Sequence, residues 1–387
     1  MKLSASSIDI VRKLIRNISD IAPTATRVPF GPNTNNSKMS AIKSQFPWIV
    51  EPLIINAPMA DNAGGLLAAT VTLAGGFGLV GTKVDMNITR RELSIAKETL
   101  AADPGTSHAQ SETLNVGVGF LPFILQLDDA LEVVKEFKPA VVWLFAANEF
   151  DDYAVWAKAM REVSAASKIW VQAGSVASAL QIASQTRPDA LCLQGADAGG
   201  HGFEKGAGII SLLPETADAL GTAGFGDVPL LASGGIADGR GVAAAVSLGA
   251  AGVVMGTRFL ASKEALVHPV VQASILEAKD GGQVTTRSKL FDQLRGPNIW
   301  PEVYDGRSLV IKSYKEYVEG VSLEEIQKRH NETLREKDLG WKTGLEGRAA
   351  IWAGTGVGLA KELKSADDIV ADARNKARER LSLAARF

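Results

Sequence analysis

Eight short apolar runs recur along the chain between residues 52 and 255. Each run has the length of a strand and is nearly continuous in hydrophobic residues, with Val, Ile and Leu prominent. Strands that are buried on both faces of a parallel sheet have this pattern. The eight predicted strands are residues 52–56, 76–80, 114–118, 140–145, 169–173, 190–193, 229–232 and 252–255.

Ala- and Leu-rich segments with helical spacing lie between these runs. An alternation of eight strands with helices predicts an α/β fold of the (β/α)8 TIM barrel type. A doubly wound open sheet gives the same alternation, but the count of eight and the glycine-rich turns described below favour the barrel. The predicted helices are residues 63–74, 90–102, 125–137, 155–165, 176–185 and 239–248.

The alternation stops near residue 261, where the chain becomes more polar. We interpret 262–361 as a smaller, mostly helical substrate or lid domain appended to the barrel. The barrel then comprises 51–261 plus about 362–387, with a closing helix whose acidic start and basic end complement the helix dipole. Residues 1–50 are predicted to be an N-terminal extension packed on the barrel. Its basic start, 1–20, favours a short amphipathic helix over a transit peptide.

Composition is that of an ordinary soluble globular protein, with 46% hydrophobic and 22% charged residues. The net charge of −2 gives no electrostatic case for a nucleic-acid partner. No apolar run approaches the roughly 18 residues of a membrane span, so no membrane association is expected. The single cysteine excludes an internal disulfide and suits a reducing, cytoplasmic compartment. The sequence leaves a homo-oligomer open.

Glycine-rich turns follow the seventh and eighth predicted strands. The first contains Ser233, Gly234 and Gly235, and the second contains Gly256 and Thr257. Glycine lets the backbone approach an anion closely, and free amides at a helix start supply positive potential. In such barrels these two loops are neighbours and commonly form a phosphate site. The sequence therefore predicts a phosphate site, with tight turns alone as the alternative explanation of the glycines.

A third glycine-rich segment follows the sixth predicted strand and ends near His201. Gln194 closes the strand and is expected to point into the mouth of the barrel, where barrel enzymes carry out their chemistry. An imidazole, with an unperturbed pKa of about 6.5, can act as a general base near neutral pH. We expect His201 to be a catalytic base or to contact the substrate.

The remaining chemistry-bearing residues give weaker signals. His108, His268 and His330 lie in ordinary helical or loop surroundings and are expected at the surface. No second His, Cys or carboxylate cluster stands at ligand spacing from the glycine-rich segment, so no metal is expected. Cys192 lies inside the sixth strand, which predicts a buried, inert thiol. Lys83 follows the second strand and is expected either to pair with ligand oxygens or to remain solvated.

The first strand ends in a short motif, Ala57-Pro58-Met59. A proline just past a buried strand fixes the chain as it leaves the barrel. The methionine offers a soft, polarizable surface suited to an aromatic ring.

Taken together, these motifs resemble the nitronate monooxygenase (2-nitropropane dioxygenase) family of FMN enzymes. The resemblance rests on 57–59, 194–201, 233–240, 255–260 and a late Trp-Ala-Gly segment at 352–357, and it covers most of the chain from about residue 50. It implies FMN across the top of the barrel, phosphate on the two glycine turns and oxidation of alkyl nitronates by molecular oxygen, with His201 as acid/base residue. The cofactor residues that it implies are Ala57, Pro58, Met59, Gln194, Gly199, Gly200, Ser233, Gly234, Gly235, Val254, Met255, Gly256 and Thr257.

One departure from the family concerns the end of the third strand. Many members carry an Asn near the flavin there, where this sequence has Gly119, so an FMN contact is expected to be lost or replaced. Two other functions stay open. One is a flavin-dependent enoyl-thioester reductase that consumes NAD(P)H, and the other is a flavin-binding barrel without activity. Whether His201 abstracts a proton or positions the substrate also stays open.

Overall fold

The computed structural model describes residues 41–103 and 111–386. Eight parallel strands form a nearly closed barrel at the positions that the apolar runs predict, which confirms the (β/α)8 barrel. The predicted helix at 1–20 lies outside the described residues. The barrel strands are β1 (Ile54–Asn56), β2 (Leu79–Gly81), β3 (Leu114–Phe120), β4 (Pro139–Leu144), β5 (Lys168–Ala173), β6 (Ala190–Gln194), β8 (Leu230–Ser233) and β9 (Gly252–Met255).

Helices follow the strands in sequence, as predicted. An additional helix, α6, has a proline inside it, Pro214, and is not among the predicted helices. The first seven helices are α1 (Gly65–Leu73), α2 (Met86–Ala101), α3 (Leu127–Phe137), α4 (Asp152–Val163), α5 (Val176–Thr186), α6 (Ile209–Thr222) and α7 (Gly239–Ser247).

The seam of the barrel lies between β1 and β2. Pairing runs in the order β1-β9-β8-β6-β5-β4-β3-β2, and a single bridge between Ile55 and Phe77 joins the two ends. At this seam the Asn56 Oδ1 accepts from the Leu79 amide at 3.0 Å, and the Asn56 Nδ2 donates to the Leu79 carbonyl at 2.7 Å. Asn56 is fully buried, so these bonds form away from water. The Asn56 side chain thus replaces some of the backbone hydrogen bonds that are missing between β1 and β2.

The interior of the barrel is filled by large side chains. Trp143, Trp170 and Cys192 are all buried there, and burial raises the pKa of the Cys192 thiol far above its ordinary value. The segment just before β1 contributes to the same core, where the Phe46 and Phe77 rings meet edge to face at 4.8 Å. The barrel is therefore a packed core rather than a pore.

A second, three-stranded antiparallel sheet stands beside the barrel, in the order β10-β11-β7. The sequence does not predict it, because its strands are short and either polar or rich in glycine, so they lack the apolar run or alternation that indicates a strand. Its strand β7 belongs to the glycine-rich segment after β6. The elements are β7 (Gly200–Phe203), α8 (Thr257–Leu260), α9 (Pro269–Glu277), α10 (Gly281–Val284), β10 (Thr285–Ser288), α11 (Leu290–Gln293), β11 (Tyr304–Leu309), α12 (Lys312–Val318), α13 (Leu323–Thr333) and a 3-10 turn (Thr355–Leu359).

The last helix, α14 (Ala366–Ala384), packs against α7 and α1. Its Arg374 guanidinium donates to the carbonyls of Ala74 and Gly75 at 2.9 and 2.8 Å. Burial lowers the pKa of Arg374 to about 10. No helix in the described ranges is long and apolar enough to cross a membrane.

Replacing Asn56 with Leu tests the seam. The change keeps the volume but leaves the Leu79 N–H and C=O buried without partners, and each costs about 1–3 kcal/mol. We expect the free energy of unfolding in urea to fall by about 2–4 kcal/mol. The exposed Asn148→Leu is the control and should change it by less than about 0.5 kcal/mol. Equal effects of the two changes would contradict the role of Asn56.

Candidate active site

A cleft of about 1270 Å³ opens where the barrel strands end. Each of the eight strands contributes residues at or just after its carboxyl end to the lining. Segments between 260 and 356 complete the wall. In a (β/α)8 barrel this end of the strands is where active sites form, and the cleft is large enough for a cofactor together with a substrate.

The turns after β8 and β9 lie side by side, since Ser233 pairs with Val254. Gly234 and Gly235 both have positive φ, 103° and 72°, which favours glycine. In the described part of the chain, the backbone amides of Gly234, Gly235, Gly256 and Thr257 donate to no turn or loop carbonyl. Free amide donors on adjacent turns form a site for an anion.

Gly256 differs from the glycines that shape the turn. A Cβ at Gly234 would lie 2.7 Å from the Gly195 carbonyl oxygen, so packing requires that glycine. A Cβ at Gly256 would meet nothing closer than 3.8 Å, where the Ala57 Cβ and the Met59 Sδ lie. Its φ of −98° also suits other residues. The geometry of a tight turn therefore requires glycine at position 234 but not at position 256. At Gly256 the absence of a side chain leaves space in the cleft.

The residues that the sequence singles out for a cofactor are brought together in this cleft, with one exception. Met255 is fully buried in the core between the strands and the helices, so its side chain does not face the cleft. The others that line it are Ala57, Pro58, Met59, Gln194, Gly199, Gly200, Ser233, Gly234, Gly235, Val254, Gly256 and Thr257.

Two weaker candidates also line the cleft. Lys83 pairs with Asp61, with 2.6 Å between Nζ and Oδ1. At Gly119 a Cβ would lie 2.6 Å from the Pro58 Cβ. An asparagine at this position would require Pro58 to move, so the glycine and the packing of the first-strand motif belong together.

His201 lies on strand β7 and not on an irregular loop as its sequence suggests. Its carbonyl accepts from the Gln194 Nε2 at 3.0 Å, and its ring Nε2 lies 2.6 Å from the Asp292 Oδ1. The ring stacks on Trp300, with centroids 3.6 Å apart and planes 9° apart, and Trp352 lies 4.8 Å away at a tilt of 52°. Strand, carboxylate and two indoles together fix one orientation of the imidazole.

Asp292 is a site residue that sequence reasoning missed. It comes from the short helix α11, its side chain is only 6% exposed, and no motif surrounds it. A carboxylate only accepts hydrogen bonds, so the geometry assigns the ring proton to Nε2 and leaves Nδ1 as the basic nitrogen. A buried carboxylate in this place holds the ring in one tautomer and one orientation.

Two arginines of the appended region form contacts around β7. Arg287 forms a buried ion pair with Asp305, whose pKa is raised by burial against the lowering effect of this arginine. Arg307 donates from Nε and Nη2 to the Ala196 carbonyl at 3.2 and 3.1 Å, and burial lowers its pKa. Arg307 therefore attaches the appended region to the glycine-rich segment, whereas the Arg287–Asp305 pair joins β10 to β11 within the appended region.

The late Trp-Ala-Gly-Thr segment, residues 352–355, packs against the same glycine-rich segment. A Cβ at Gly199 would lie 2.4 Å from the Ala353 carbonyl carbon, and one at Gly354 would lie 2.5 Å from the Asp197 carbonyl oxygen. Thr355 donates from its amide and its hydroxyl to Asp197, at 3.0 and 2.9 Å. The two backbones touch because both carry glycine at the contact.

Of the other histidines, His330 differs from expectation. His330 is only 1% exposed, not a surface residue, and its Nδ1 lies 3.1 Å from the Arg348 carbonyl. Burial lowers its pKa, and the cations of Arg295 and Arg348 lower it further. His268 accepts from the Val270 amide at the start of α9. His108 lies outside the described residues.

Comparison with known proteins gives a consistent result. The family model described as "Nitronate monooxygenase" matches residues 127–374. A protein named nitronate monooxygenase npaC from Metarhizium robertsii is 40% identical over 89% of this chain and 96% of its own. A nitronate monooxygenase from Neurospora crassa is 37% identical over 89% of this chain and 93% of its own. Among solved structures, FabK from Thermotoga maritima aligns with a TM-score of 0.69 and 25% identity, over 89% and 98% of the two chains.

Proposed function

Because this chain belongs to the nitronate monooxygenase family, we propose that it oxidises alkyl nitronates with molecular oxygen, using FMN held in the cleft. One observation carries the proposal. The His201–Asp292 pair and the free amides of the turns after β8 and β9 line the same cleft. An anion site and a histidine in one cleft suit a phosphorylated cofactor next to a nitronate, whose oxygens the imidazole can bind, or a nitroalkane, whose α-proton it can remove.

The residues present fit FMN. The amides of Gly234, Gly235, Gly256 and Thr257 would bind its phosphate, and the space beside Gly256 would be filled by it. The Gln194 Oε1 is buried without a partner in the described residues and is an acceptor suited to a ring N–H. The bound flavin supplies the electron acceptor for oxidation of the nitronate and the centre that reacts with oxygen.

His201 decides which form of the substrate can react. A nitronate is already deprotonated and needs no base, whereas a neutral nitroalkane must first lose its α-proton. The Nδ1 of His201 is the atom that accepts this proton, while Asp292 stabilises the resulting imidazolium. The protonated ring then donates toward negatively charged nitro oxygens. Trp300 and Trp352 limit the access of water to this pair.

A flavin-dependent enoyl-thioester reductase is the alternative function. The similarity of the overall fold to that of FabK is the observation that favours this alternative. It would consume NADH or NADPH without a nitro compound, whereas nitronate oxidation would not require either nucleotide.

The purified protein should carry a flavin absorption spectrum and take up oxygen with propionate 3-nitronate or ethyl nitronate. The flavin released by denaturation should be FMN by chromatography. NADH oxidation that depends on an enoyl thioester, without oxygen uptake on nitronates, would support the reductase instead. A colourless protein that FMN does not reconstitute would contradict the whole proposal.

Gly256→Ala separates cofactor binding from turn formation. The added methyl has space in the fold but enters the cleft, so we expect an unchanged melting temperature and a dissociation constant for FMN that rises at least about tenfold. Fluorescence titration of the apoprotein with FMN measures this dissociation constant. Gly221→Ala is the matched control, because a Cβ there meets nothing within 4 Å and lies on α6. Unchanged FMN affinity in Gly256→Ala would exclude this glycine from the site.

His201→Asn and Asp292→Asn test the base. With nitroethane we expect kcat/KM to fall about 10²- to 10⁴-fold for His201→Asn and about 10- to 100-fold for Asp292→Asn, which loses a charge-assisted hydrogen bond. With ethyl nitronate both losses should be much smaller, since no proton is abstracted. Asp227→Asn, at an exposed position outside the cleft, should leave the ratio of the two activities unchanged. Parallel losses on both substrates would mean that His201 only positions the substrate.

A further inference from the structure

The cleft extends beyond the turns that would hold a phosphate. Its volume of about 1270 Å³ exceeds the upper end, roughly 1000 Å³, of sites for one drug-sized ligand. The additional wall comes from segments between 260 and 352, outside the barrel strands. We call it the apolar wall and define it by Leu266, Val271, Ile299, Trp300, Leu339 and Trp341.

The apolar wall is unusual in its exposure. Leu266, Ile299 and Leu339 are 49%, 63% and 42% exposed, although large aliphatic side chains are normally covered. All three line one cleft instead of being scattered over the surface. An apolar patch that is continuous with a candidate active site marks a place where a ligand covers it.

The charged side chains of the cleft do not favour a charged group on the ligand that would cover the apolar wall. Asp292 is paired with His201, and Lys83 is paired with Asp61. Arg295 lies exposed at the mouth, where water screens its attraction for an anion. The part of the cleft beside His201 therefore favours an apolar group over a second carboxylate.

We propose that the preferred substrates are nitronates bearing a long alkyl or aryl group, which lies against the apolar wall while the nitronate carbon faces His201 and the cofactor. This rests on the proposed function. Short nitronates leave the apolar wall in water, so each added methylene removes more apolar surface from solvent and strengthens binding.

A chain-length series tests the proposal. The kcat/KM of the holoenzyme is measured by oxygen uptake for ethyl, butyl, hexyl and 2-phenylethyl nitronates. We expect about a threefold to fourfold rise for each added methylene up to the length of the cleft, and a comparable gain for the phenyl group. A flat or falling series would overturn the proposal. A kcat/KM for propionate 3-nitronate more than tenfold above that for butyl nitronate would also overturn it. That result would indicate that Arg295 binds the substrate carboxylate at the mouth of the cleft.

Two matched substitutions locate the effect. Ile299 and Ile210 are 63% and 65% exposed, but only Ile299 lines the cleft. Ile299→Ser should lower the ratio of hexyl to ethyl kcat/KM by about threefold to tenfold. Ile210→Ser, on the outer surface of α6, should leave that ratio unchanged. Equal effects of the two changes would remove the apolar wall from substrate binding.

A binding measurement separates this proposal from the proposed function. Quenching of the cleft tryptophans by 1-nitrohexane and nitroethane gives dissociation constants without turnover. If no nitronate is oxidised, the proposed function fails. A tighter dissociation constant for 1-nitrohexane that Ile299→Ser weakens would then still support the apolar wall as a binding surface. Equal dissociation constants for the two compounds would overturn it.

Discussion

The site depends on a contact between two glycines that are far apart in the chain. Gly199 and Gly354 let the segments at 197–199 and 353–355 touch backbone to backbone, and Thr355 fastens the contact to Asp197 across 158 residues. A side chain on either glycine would force the segments apart. The contact anchors the start of β7, and β7 in turn carries His201. The position of His201 therefore follows from a packing constraint on backbone atoms.

The His201–Asp292 pair joins two parts of the chain that the sequence separates. The histidine belongs to β7, a strand of the second sheet that follows the barrel strand β6, and the carboxylate belongs to a short helix 91 residues later. Trp300 covers one face of the imidazole, which leaves the ring little freedom to turn. In the proposed reaction such a ring is preorganised for proton transfer, because no reorientation has to precede the reaction. The appended region thus supplies Asp292 and Trp300 to the candidate site as well as the apolar wall.

The glycines of the turns after β8 and β9 have two distinct physical roles. Gly234 and Gly235 satisfy the backbone, since both have positive φ. Gly256 has ordinary dihedral angles and an unfilled space in place of its side chain. Sequence inspection groups all of them as one motif. The distinction matters for function, because a residue kept small for a ligand can change without unfolding the protein, whereas one kept for its backbone cannot.

The sequence by itself determined the barrel and the location of the glycine-rich turns at the ends of its strands. Parallel strands buried on both faces leave continuous apolar runs, and glycine turns at strand ends are local signals, so both could be read without a structure. The identity of His201 as the base candidate followed from its position after β6. What only the tertiary structure decided is the antiparallel sheet, the partner Asp292, the burial of His330 and the burial of Met255 between the strands and the helices. Each depends on pairing or packing between distant segments, and a polar strand or a lone acid carries no local pattern that records its partner.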